Sequence, residues 1–125
     1  MRTATTAAQM TVRLLGVVLI ILGVLFWIGT ARNLIPVHML LGVLLVLALW
    51  VLAGIGAKAR VGVGLVLAAI LWGLVTAGFG MAQASILPGA AHWIIQLLHL
   101  AIGLVAMAFA EVIGGRIRRG TAALA

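Results

Sequence analysis

Leu14-Leu15-Gly16-Val17-Val18-Leu19-Ile20-Ile21-Leu22-Gly23-Val24-Leu25-Phe26-Trp27-Ile28-Gly29-Thr30 contains no charged side chain. With a start near Thr11 and an end near residue 31, it has the ~20 residues an α-helix needs to cross ~30 Å of hydrocarbon. The same reading applies three more times along the chain, over residues 36–57, 61–84 and 89–114. Asn33-Leu34-Ile35-Pro36 reads as a turn with Pro36 in the first helical position. Lys58 and Arg60 close the second run, Ser85-Ile86-Leu87-Pro88-Gly89 makes the next turn, and Gly114-Gly115 is a candidate end for the fourth helix. Connections this short force neighbouring helices to be antiparallel. The expected fold is therefore all-α, an integral-membrane up-down-up-down four-helix bundle in one domain over residues 1–125.

Composition agrees with this reading. Hydrophobic residues make up 66% of the chain and charged residues 7%, and the mean hydropathy is +1.41. Four spans leave almost nothing within these residues for a soluble domain. The absence of cysteine excludes disulfides, thiolate metal sites, iron–sulfur clusters and covalent haem attachment. The net charge of +7 needs no nucleic-acid partner, because the basic residues gather at span ends, where phospholipid headgroups answer them. Arg2, Arg13, Lys58, Arg60, Arg116, Arg118 and Arg119 fall at one end of the bundle and Arg32 alone at the other. By the positive-inside rule both termini are expected in the cytoplasm of a multi-pass protein of the plasma (inner) membrane. Trp27 and Trp93 suit an aromatic belt at the outer boundary. Arg2 and Arg13 before an apolar stretch imitate a secretory signal, but the run is too long for a typical one.

Steps of three and four residues give each helix one small or polar face. These faces are Gly16, Gly23 and Thr30; His38, Gly42 and Gly56 with Leu45, Leu49 and Leu52 between; Gly62, Val66, Ala69, Gly73, Thr76, Gly80 and Gln83; and His92, Gln96, His99, Gly103, Ala106 and Ala110. Lipid gains nothing from Gly, His or Gln, so the faces are expected to turn inward. Close helix packing accounts for the glycines taken alone.

The histidines ask for more, since a polar ring in hydrocarbon needs a partner. His38 and His92 also fit an interfacial role, and a hydrogen bond to Gln83 or Thr76 would satisfy His99. Helices two and four run in the same direction. At about 1.5 Å per residue His38 stands ~30 Å from Lys58, while His99 and His92 stand ~25 Å and ~36 Å from Arg116. Counting from the proline turns instead favours His92 as the partner of His38. The pairing of His38 with His99 is preferred, because Gly42 and Gly103 follow four residues after each and leave room beside the ring.

Two imidazoles from non-adjacent helices of a bundle suit the axial positions of haem iron. With histidines on helices two and four and glycines on one and three, the chain resembles the haem-binding bundles of the cytochrome b subunits of respiratory and photosynthetic complexes. The resemblance spans the whole chain as a pattern. It implies non-covalent haem b, with His38 and His99 as axial ligands and Gly80, then Gly23, making room for the macrocycle. That family places two histidines on each ligand helix, and this chain has none in the inner half, so one haem near the outer surface is implied. A weaker resemblance is to one half of haem A synthase, without the acidic residue expected near its ligands. His92 becomes a distal group or spare ligand at the aqueous edge, Gln96 shares its face, and Arg32 suits haem propionates.

The expected function is electron transfer with no enzymatic activity of its own, and quinone or a periplasmic redox protein is the natural partner. The alternative is a cofactor-free assembly or accessory subunit whose glycine faces pack against itself, as a homo-oligomer, or against a larger membrane complex. Zinc or copper on His38, His92, Gln96 and His99 is disfavoured by the lack of nearby carboxylates. A chlorophyll-type pigment is not separated from haem by sequence. Glu111, the single acid, is expected to snorkel to the interface and pair with a basic neighbour such as Arg116. Small four-helix multidrug pumps keep their essential glutamate in the first span, where this chain has none. Met10, Met39, Met81 and Met107 are scattered in depth as packing residues, and Trp50 and Trp72 read as packing or lipid contacts.

Overall fold

A computed structural model describes residues 1–123. Four long helices follow in order: α1 Arg2–Trp27, α2 Ile35–Lys58, α3 Val63–Ala82 and α4 His92–Ala123. Short 3-10 turns at Arg32–Leu34 and Gln83–Ser85 precede α2 and follow α3. All four are long and apolar enough to cross a membrane. The molecule is an all-α four-helix bundle of membrane type. Consecutive helices pack side by side, and α4 closes the ring onto α1. The backbones of the diagonal pair α2 and α4 also approach each other closely, whereas among the described residues those of α1 and α3 do not.

This asymmetry follows from side-chain size. At the basic end α2 presents Leu45, Leu49, Leu52 and Ala53 to Ala106, Ala110 and Ile113 of α4, and Leu49, Leu52, Ala53, Ala106, Ala110 and Ile113 are fully buried. Alanines on α4 let the diagonal helices approach, and Leu side chains fill the space. Ala8 and Val12 of α1, Val66 and Ala69 of α3 and Ile117 of α4 join the cluster. Tryptophans link helices further out. Trp50 Nε1 donates to Ile70 O at 3.2 Å and Trp72 Nε1 to Ile102 O at 3.0 Å, so both are packing residues with a polar tie.

Helix boundaries differ from the expected spans at both ends of α1 and of α4. α1 begins at Arg2 instead of near Thr11 and ends at Trp27 instead of 31. An apolar run measures the bilayer, whereas a helix continues wherever its turns find a surface. Thr5, Ala8 and Gln9 are buried, Ala8 in the cluster that holds Ile117 of α4 and Gln9 against Gly114, and Gly29, at φ +83°, turns the chain after Trp27. α4 begins at His92 and runs through Gly114-Gly115 to Ala123. Gly114 is no helix stop: a Cβ there would lie 2.6 Å from the Gln9 side-chain oxygen, so the glycine admits the amide of α1. Tight left-handed turns also occur at Ala31, Arg60, Gly62, Leu87 and Gly89.

Glu111 pairs with a basic residue as expected, though not with Arg116. Its partner is Arg13 of α1, with Nε to Oε1 at 2.6 Å and Nη2 to Oε2 at 2.7 Å. Gln9 Nε2 donates to the same carboxylate at 2.6 Å, and Arg118 donates to Gln9 Oε1. Arg116 reaches the other way, donating to Val61 O at 3.0 Å in the α2–α3 turn. Bidentate pairing across α1 and α4 is the stronger geometry for a carboxylate.

Candidate functional site: a histidine pair across the bundle

His38 lies in the first turns of α2 and His99 in the third turn of α4, on the two helices that meet across the bundle. Their ring centroids are 6.2 Å apart, with planes inclined at 48°. Both rings are half-buried, and in each the Nδ1 atom is buried without a hydrogen-bond partner among the described residues. Thr76, considered above for His99, instead donates its hydroxyl to Trp72 O at 2.8 Å. A buried polar atom with no partner costs ~1–3 kcal/mol and calls for an explanation.

Each ring is backed by one phenylalanine from an adjacent helix. Phe26 of α1 meets His38 edge-on at 5.4 Å, and Phe79 of α3 stacks on His99 at 6.1 Å with planes 14° apart. All four helices thus contribute one ring to a row running Phe26, His38, His99, Phe79. The sequence reading missed both phenylalanines. The signal was present: the chain has three, and Phe26 and Phe79 stand near the outer ends of their helices, but an aromatic in a membrane helix reads first as a lipid contact.

The glycines separate into two sets. In the basic half they are filled: a Cβ on Gly16 would run into Met107, on Gly56 into Ile113, on Gly73 into Trp50 and on Gly114 into Gln9. Toward the histidines Gly23, Gly42 and Gly103 are half-buried, yet no atom comes within 4 Å of where their Cβ would be. Gly54, Gly64 and Gly78 are equally open, but they are exposed on the outer faces. All three glycines are partly exposed, so the helix surface beside the histidines is open at these positions. Gly80 behaves differently: its missing Cβ would sit 3.2 Å from His99 Cε1, so it makes room for the imidazole.

The remaining candidates lie apart from the row. His92 is at the mouth of α4, its Nδ1 3.1 Å from Ile86 O in the α3–α4 connection. Gln96 is half-buried between His92 and His99 along α4. Arg32 is exposed in the α1–α2 connection, where the missing Cβ of Gly29 would be 4.0 Å from its Nη2. Among the described residues no group of three or more His, Cys, Asp or Glu is placed to hold a metal ion. Two imidazoles are thus the strongest donor set, and a zinc site of normal ligand number finds no support. A cavity of about 300 Å³ lies away from the histidines, beside Ala57, Arg60, Gly62, Val63 and Val66.

No protein-family model, curated protein or solved structure matches the chain.

Proposed function

We propose that this chain is a small membrane cytochrome of b type, holding one non-covalent haem b between His38 and His99 and transferring electrons. The observation that carries this reading is the His38–His99 pair. Two metal–nitrogen bonds of ~2 Å, with the reach from each ring centre to its nitrogen, put axial imidazole centres ~6 Å apart. The two rings already stand at 6.2 Å. His38 and His99 would hold the iron of the haem, and no atom comes within 4 Å of where a Cβ on Gly23, Gly42 or Gly103 would be.

When bound, haem b supplies a one-electron couple, and ligation by two histidines favours electron transfer over oxygen chemistry. The residues of the chain hold and insulate it. His38 and His99 supply the donor nitrogens, Phe26 and Phe79 fix the ring orientations, and Gly80 admits the His99 ring. Arg32 serves the propionates from the outer connection, while His92 and Gln96 border the aqueous edge. The gathering of basic residues at the opposite end supports a protein of the inner membrane with both termini cytoplasmic and the haem near the outer leaflet. Quinone in the bilayer or a periplasmic redox protein is then the partner within reach.

The test is the absorption spectrum of protein purified from haem-replete cells, with a pyridine extract to identify the tetrapyrrole. A sharp Soret band with haem b in the extract is expected. A colourless preparation from such cells, which also fails to take up added haemin, would mean a cofactor-free subunit.

A further inference from the structure

The α2–α3 turn combines a half-open cavity with cationic side chains. The cavity of about 300 Å³ has walls from Ala57, Gly62, Val63 and Val66 and one cationic lining residue, Arg60. Arg116 approaches from α4: its Nη1 donates to Val61 O at 3.0 Å and stands 3.6 Å from where a Gly62 Cβ would be. A Cβ at residue 62 would be in ordinary van der Waals contact with that guanidinium, and the φ of +117° favours glycine. Among the described residues no carboxylate answers these cations. The single acid, Glu111, is held by Arg13 and Gln9. The turn joins two membrane-spanning helices at the basic end, which puts the cavity at the depth of lipid headgroups.

We infer that this cavity is a binding site for one anionic phospholipid. Its phosphate sits by Arg60, with Arg116 behind Gly62, and the first methylenes of an acyl chain lie on Val63 and Val66. Basic pockets between membrane helices take anionic headgroups by this combination of apolar wall and cation. A lipid is favoured over free phosphate because the walls are mostly apolar and give a bare anion nothing to bind. The inference is independent of the haem reading, since the site lies at the opposite end of the bundle.

Native mass spectrometry of the full chain tests this, after incubation in detergent with dioleoyl phosphatidylglycerol, with dioleoyl phosphatidylcholine, or with phosphatidylglycerol plus excess inorganic phosphate. One retained phosphatidylglycerol per chain is expected, preferred severalfold over phosphatidylcholine and not displaced by phosphate. Arg60→Ala is expected to lower retention about fivefold, the weight of one basic residue near a headgroup. Arg60→Gly should do the same while relieving the left-handed turn at φ +55°, which guards against a folding artefact. Val63→Trp, on an exposed wall residue, should displace the lipid with every charge intact, and Arg2→Ala should change nothing. Equal retention of both lipids, displacement by inorganic phosphate, or equal losses in Arg2→Ala and Arg60→Ala would overturn the site.

Discussion

His99 and Gly80 are fitted to each other: the imidazole of one occupies the space that a side chain on the other would need, with Cε1 3.2 Å from the missing Cβ. A methyl group there must push the ring by a few tenths of an ångström, and a branched side chain must turn it away. Gly80→Ala should therefore retain haem with a weakened affinity, whereas Gly80→Val should lose at least tenfold in haemin titration. Equal binding by Gly80→Val and the unmodified protein would show that the His99 orientation is irrelevant to the cofactor.

Gly42 offers the opposite case, with open space where its side chain would be. In the cofactor-free protein Gly42→Ala should be neutral or stabilising by ~0.5–1 kcal/mol, as for glycine replaced inside a helix. Gly42→Phe should fill the space beside His38 and block haem uptake while leaving helix content unchanged. Thermal unfolding and haemin titration on the same samples separate the two effects.

Phe79 stacks on His99 and Phe26 meets His38 edge-on. If these contacts set the ring planes, Phe79→Leu and Phe26→Leu should keep the haem but change the relative orientation of the axial imidazoles. The spread of g values in the low-spin ferric electron paramagnetic resonance spectrum reads that angle. Unchanged spectra in both variants would reduce the phenylalanines to ordinary packing.

At the basic end Gln9 is 2% exposed and donates to Glu111 at 2.6 Å. Glu111→Ala leaves that amide without its acceptor, a loss expected to cost ~1–3 kcal/mol. Arg13→Ala should cost less, because Gln9 keeps its acceptor, and Arg13→Ala with Glu111→Ala should be no worse than Glu111→Ala alone. Denaturant unfolding of the three variants in detergent checks this order. Haem content should be unaffected in all three, since the cluster lies at the far end of the bundle.

The number of helices, their direction and the inward turn of most of the small faces follow from apolar run length and three-four spacing, which respond to bilayer thickness and lipid packing; Thr30 and Gly62, at the ends of their faces, are exposed instead. Gly16, Leu49, Gly56, Ala69, Gly73, Ala106 and Ala110 all lie buried as that spacing predicts. What the spacing does not contain is which turn of one helix faces which turn of another. The depth counts therefore left His92 and His99 as rival partners for His38. Packing of Ala106 and Ala110 against α2 sets the register that brings His99 beside His38, and the Ile86 carbonyl takes up His92. The overhang of α1 and α4 was hidden for a related reason: Gln9, Glu111 and Gly114 fit one another in space, while each looks ordinary in its own stretch of chain.

The most direct test is the haem-to-protein ratio in His38→Ala, His99→Ala and His92→Ala, purified alike and titrated with haemin. One haem per chain is predicted for the unmodified protein and for His92→Ala, and loss of the six-coordinate low-spin spectrum for either of the other two. A low-spin, stoichiometric haem surviving in both His38→Ala and His99→Ala would contradict the account.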